Sequence, residues 1–136
     1  MHEPAHFVAS SMSAGGQPAW VYRFTYTAES TRPKSMAQVH AGELPFMFDT
    51  LASHYGDAVT ENDLATAKAF NTYVANFVKK GDPNGEGLPD WPQVVPDEFN
   101  LMNFSLDDGP VFGAEPRPGV ALVARTRTAH ADDRPA

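Results

Sequence analysis

Apolar residues recur at helical spacing over one long stretch of this chain and alternate as in a strand over another, with short, proline-broken pieces between them. Pro4 to Ser13 carries Ala5, Val8, Ala9 and Met12 at helical spacing, with Pro4 tolerated in the first turn. Gly15-Gly16 ends that helix. Ala19 to Tyr26 alternates, with Trp20, Tyr22, Phe24 and Tyr26 on one face and Ala19, Val21, Arg23 and Thr25 on the other. Ala19 and Val21 make the first half of the strand apolar on both sides, which suits a sheet covered on both faces. Ser30 to Val39 is polar and contains proline, so it reads as a loop. His40 to Leu51 holds the dense apolar run Leu44-Pro45-Phe46-Met47-Phe48, broken by its own proline.

Thr60 to Lys80 is the long helix. Thr60 is placed to cap it, with Asp63 in the capping-box position and Glu61 near the positive helix end. Leu64, Ala67, Val74 and Val78 form one stripe, widened by Phe70, Tyr73 and Phe77. Lys79 and Lys80 suit the negative end, and Gly81 the C-terminal cap. Gly81 to Pro96 is turn chemistry. Leu101 to Phe104 and Pro110 to Phe112, joined by Asp107-Asp108-Gly109, predict a hairpin. Val120 to Ala124 reads as a weak closing helix, and from Arg125 onward the tail is polar. The expected organisation is a part of one larger domain over residues 1–124 followed by a flexible tail over 125–136, in an α/β fold class.

Composition narrows the possibilities. The 136 residues carry 42% hydrophobic and 20% charged residues, a globular balance. A net charge of −7 argues against a general nucleic-acid or anionic-membrane binder, because phosphate recognition needs a basic surface. No apolar run approaches the roughly 20 residues of a membrane span. No basic, apolar leader opens the chain, and a cytoplasmic location is the default expectation. There is no cysteine, hence neither a disulfide framework nor thiol chemistry. Twelve prolines and ten glycines leave one long helical window, so the chain has difficulty closing a core alone and reads as part of a larger domain.

Four landmarks, in order, are similar to the C-terminal part of the type-B carboxylesterases, the cholinesterase-like family. They are Pro18-Ala19-Trp20-Val21-Tyr22-Arg23-Phe24, His40-Ala41-Gly42-Glu43-Leu44-Pro45-Phe46-Met47-Phe48, Phe77-Val78-Lys79-Lys80-Gly81-Asp82-Pro83-Asn84, and Leu88-Pro89-Asp90-Trp91-Pro92. The resemblance implies a C-terminal piece of an α/β-hydrolase fold: late sheet strands, a histidine loop and a long packing helix. It also implies hydrolysis of a small-molecule carboxylic ester through an acyl-serine, without metal or organic cofactor. In that fold the triad runs serine, acid, histidine along the chain. His40 is then the catalytic histidine, a general base and acid with a side chain that titrates near working pH. Nucleophile, triad acid and oxyanion-hole glycines belong to the upstream remainder of the domain, the partner of this segment. One departure stands beside His40. The family usually has glycine where this chain has Ala41, and a position requiring φ > 0 would strain alanine. Glu43 reads as an ion-pairing or helix-start residue rather than the triad acid. The competing reading is a non-catalytic truncated or adhesion-type derivative of the fold.

Three other motifs point elsewhere and are weaker. Ser11-Met12-Ser13-Ala14-Gly15-Gly16 resembles a nucleophile sequence, but an elbow needs a strand before the serine and a helix after it, the reverse of the order here. Ser13 is therefore a helix-terminal residue. His2-Glu3-Pro4-Ala5-His6 matches a zinc signature, yet Pro4 lies between the histidines and no third ligand is near, which leaves a surface accident. Asp82-Pro83-Asn84-Gly85-Glu86 is too short for a calcium loop and is explained as a turn.

Overall fold

A computed structural model describes residues 3–34, 39–106, 109–117 and 119–120. Helix α1 is Glu3–Ala14, strand β1 Tyr22–Phe24, helix α2 Leu44–Met47, helix α3 Leu51–Tyr55 and helix α4 Glu61–Lys80. Strands β2, Asn100–Ser105, and β3, Gly109–Ala114, follow. Among the described residues the sheet has three strands in the order β1-β2-β3. β1 and β2 run parallel, pairing Tyr22 with Met102, Arg23 with Asn103 and Phe24 with Phe104. Parallel pairing needs a long crossover, and the whole helical stretch α2–α4 supplies it. The β2–β3 connection is far too short for a crossover, so those two strands form the hairpin that the sequence predicts. The expected turn residues Asp107 and Asp108 lie outside the described residues, as do all but Val120 of the expected closing helix and the whole tail from Arg125.

The described residues within 3–21, 92–101 and 113–120 form one compact unit, and those within 22–91 and 102–112 another. In the first, Ala9, Ala19, Val21, Val94 and Leu101 form a buried apolar cluster. Val94 N–H donates to the Ala19 carbonyl at 2.8 Å, and Ser13 Oγ donates to the Val94 carbonyl at 2.7 Å. Ser13 thus closes the last turn of α1, as expected, and its hydroxyl is committed to a backbone partner.

The second unit is an aromatic core laid over α4. Phe70 and Tyr73 of α4 are wholly buried, as are Phe46 and Met102, with Phe104 nearly so. The Phe24 ring lies 5.0 Å from Phe70, 5.2 Å from Phe46 and 5.9 Å from Phe104. Each ring so buried contributes about 1.5–3 kcal/mol of transfer free energy. The caps of α4 are those the sequence predicts. Thr60 and Asp63 form a reciprocal capping box, and Gly81 ends the helix in the left-handed region at φ 74°.

Three expectations are corrected. The strand spans Tyr22–Phe24 rather than Ala19 to Tyr26. At its end Thr25 N–H and Tyr26 N–H both donate to the one Phe104 carbonyl, at 2.8 and 3.1 Å, so the ladder closes in a bulge-like arrangement. Upstream, Ala19 pairs with a loop residue, Val94, instead of a strand. Secondly, Pro45 does not break its apolar run; it occupies the first turn of α2, where its missing N–H is harmless. Thirdly, the buried face of α4 is Asp63, Ala67, Phe70 and Tyr73, whereas Leu64 is 51% and Val78 76% exposed. A carboxylate replaces leucine on the inward face because its partners are there.

Candidate active site

His40 lies on the turn between the β1 side of the crossover and α2, and it is exposed. The turn is built by backbone bonds from Gly42 N–H to the Val39 carbonyl at 3.0 Å and from Leu44 N–H to the Ala41 carbonyl at 3.2 Å. Ala41, next to the histidine, has φ 59°, and Gly42 beside it is buried. The residue that departs from the family's glycine therefore occupies the left-handed backbone region that glycine would take without cost. Non-glycine residues there carry roughly 1–2 kcal/mol of steric penalty. Gly42 does not take over the role, because positive φ is found at Ala41 itself.

Glu43 stands at the N-cap of α2, but its carboxylate makes no capping hydrogen bond. Its backbone carbonyl does the work, accepting from Phe46 N–H at 3.1 Å and Met47 N–H at 2.9 Å. Its charge is felt by Tyr22, whose phenol is pushed up first by burial and then by Glu43. Among the described residues the ion pairs involve His6, Arg32 and Arg117, not His40 or Glu43. His54, in α3, is exposed, its ring 4.7 Å from Tyr55.

The zinc-like motif resolves differently from a surface accident. His2 lies outside the described residues, while His6 is buried, its Nε2 donating to Glu115 Oε2 at 3.3 Å and its ring 5.5 Å from Phe99. Glu115 also accepts from Arg117 Nε at 2.6 Å, Nη2 at 2.8 Å and the Arg117 backbone N–H at 3.1 Å. Burial works to raise the Glu115 carboxyl, but these bonds outweigh it and hold the group down at about 2. No group of three or more histidines and carboxylates gathers to hold a metal among the described residues. Asp82-Pro83-Asn84 is a turn, as read: Asp82 Oδ1 accepts from Asn84 N–H at 2.8 Å and from its Nδ2 at 2.9 Å. Asn84 Oδ1 in turn accepts from Trp91 N–H at 2.6 Å.

Asp63 has a larger part than its sequence position shows. Fully buried, it accepts at Oδ1 from Tyr26 Oη at 2.8 Å and Glu29 N–H at 3.1 Å, and at Oδ2 from Thr60 N–H at 3.1 Å. Tyr26 is consequently held well above the ordinary phenol range, by burial first and then by Asp63. The capping box was legible in the sequence; the reach of the same carboxylate to Tyr26, 37 positions away, was not.

Parallel strands joined by a helical crossover give this chain a mixed α/β architecture consistent with a fragment of an α/β-hydrolase fold. The carboxylesterase family's sequence model matches residues 1–115, and the chain belongs to that family. It is 35% identical to the cocaine esterase of Homo sapiens over 101 residues, 72% of this chain and 17% of that protein. It is 33% identical to carboxylesterase 1C of Rattus norvegicus over 102 residues, 73% of this chain and 18% of that protein. Against the acylcarnitine hydrolase of Mus musculus it is 32% identical over 118 residues, 85% of this chain and 20% of that protein. The chain thus spans between 17% and 20% of the length of these curated relatives. Among the described residues, no helix is long and apolar enough to cross a membrane.

Proposed function

We propose that the protein carrying this segment hydrolyses carboxylic esters through an acyl-serine intermediate, with His40 as its general base and acid. The observation that carries the reading is the histidine turn. An exposed imidazole follows β1 on a turn whose next residue has φ 59°, where the family usually has glycine. In the reaction His40 takes the serine proton as the hydroxyl attacks the ester carbonyl. It returns a proton to the leaving alcohol, and the same exchange with water releases the acid. Nucleophile, triad acid and oxyanion donors come from upstream sequence. Ser13 is not the nucleophile on this reading, since a helix precedes it and its hydroxyl is engaged by the Val94 carbonyl. Family membership and relatives named as esterases and hydrolases support the reaction class.

The test pairs two histidines in the full-length enzyme. His40→Ala should lower kcat on the order of 10⁴-fold, since triad members act as a unit and only the oxyanion hole and binding remain. His54→Ala, on an exposed face of α3, should cost little. kcat/KM should also fall on acidification, because a protonated imidazole accepts no proton. Retention of more than about a tenth of the activity by His40→Ala would exclude the assigned base. The chain by itself should neither turn over a p-nitrophenyl ester nor label with a fluorophosphonate.

A further inference from the structure

Helix α2 is only Leu44–Met47, far below the length at which a helix holds its own shape in water. What it packs against therefore decides where it sits. Phe46 is fully buried, its ring 5.4 Å from Tyr26 and 5.2 Å from Phe24. The polar half of the attachment is Asn71 of α4, whose Nδ2 donates to the Met47 carbonyl at 2.7 Å. That carbonyl is one of those a helix end leaves without an internal partner. From Met47 back to Val39 the chain is a run of consecutive backbone hydrogen bonds: Met47 to Glu43, Leu44 to Ala41 and Gly42 to Val39. His40 sits inside that run, so its turn moves with α2.

Helix α4, which carries Asn71, also grips the chain leading toward the histidine. Asp63 accepts from Tyr26 Oη and Glu29 N–H, and Arg32 Nε donates to the Thr27 carbonyl at 3.0 Å with its guanidinium 5.2 Å over the Tyr26 ring. Asp63 and Asn71 lie two turns apart, about 12 Å along the helix axis. We propose that Asn71 and Asp63 are positioning residues for His40, fixing α2 on one side of the histidine turn and the Tyr26–Glu29 stretch on the other. The proposal rests on His40 being the general base. A few tenths of an ångström matter in such a role, since misplacing a base by about 1 Å costs on the order of 10²-fold.

Two variants test it in the full-length esterase, assayed with a p-nitrophenyl ester well below each protein's melting temperature. kcat is referred to the folded fraction measured by circular dichroism. Asn71→Ala removes the donor to Met47; Tyr26→Phe removes one O–H from Asp63 and keeps the ring packing. Asn71→Ala should lower kcat by about tenfold to a hundredfold with KM changed by less than about twofold, because the turn shifts while the substrate pockets do not. Asn71→Gln, which retains an amide donor, should recover part of that loss. Tyr26→Phe should move kcat in the same direction by less, and it carries the test should Asn71→Ala not fold. A merely structural role would instead lower the melting temperature and leave kcat per folded enzyme and KM unchanged, which would overturn the proposal. A His40→Ala control separates the two failures. If that variant stays active, the base is misassigned. If it is dead while Asn71→Ala and Tyr26→Phe keep full kcat, the positioning role alone is refuted.

Discussion

Exchanging alanine and glycine at two left-handed positions isolates the backbone energy stored beside His40. Ala41 has φ 59° and Gly81, at the C-cap of α4, has φ 74°. A Cβ built on Gly81 meets no atom within 4 Å, so Gly81→Ala changes backbone energy and little else. The left-handed region costs an L-residue about 1–2 kcal/mol, while glycine gives back about 0.4–1 kcal/mol through its freer unfolded chain. Ala41→Gly should therefore stabilise by about 0.5–1 kcal/mol, and Gly81→Ala should destabilise by about the same amount. The double variant should return close to wild type, the two backbone terms adding with opposite sign. Urea melts at fixed osmolyte concentration, followed by tryptophan fluorescence, measure all four proteins. The expected sign is a higher midpoint for Ala41→Gly with an unchanged slope. If Ala41→Gly proves neutral or destabilising while Gly81→Ala costs what is expected, alanine is not strained at position 41 and the argument for the turn's geometry fails.

Other outcomes follow from the same contacts. Glu115 is held down at about 2 against an ordinary 4.5, so its contribution is complete above about pH 4.5 and is lost as pH falls toward 2. Glu115→Gln should flatten the melting temperature across that acid window, and an unchanged slope would refute the pairing with His6 and Arg117. At the alkaline end, burial and then the Asp90 charge push Tyr73 up to about 12, so the folded state prefers the neutral phenol. Its contribution is complete below about pH 10 and is lost as pH rises toward 12, a dependence that Tyr73→Phe should remove from the melting profile. Finally, Phe7, Val8 and Met12 of α1 are each 45–54% exposed, an apolar patch that water does not favour. Alone, the chain should self-associate in sedimentation velocity at micromolar concentration. Val8→Glu with Met12→Lys should reduce that association, and a monodisperse wild-type monomer would refute it.

The elements whose causes are local could be read from the sequence. The long helix, its Thr60–Asp63 box and its Gly81 cap depend on neighbours three or four positions away, and the hairpin depends on a short connection between two apolar runs. The strain at Ala41 was also legible, as a departure from a glycine at one position of a motif. What depends on distant partners was not. Periodicity placed Leu64 and Val78 on the inner stripe of α4, but only the tertiary fold puts Tyr26 and the Glu29 amide where they draw Asp63 inward instead. The strand's length was set by the Phe104 carbonyl, which takes two successive amides and ends the ladder. The burial of His6 required Glu115 from 109 positions away. A sequence records each residue's own propensity and that of its near neighbours. Burial and hydrogen-bond partners belong to pairs brought together by the fold, and it was these pairs that decided which polar residues lie inside and how the histidine turn is held.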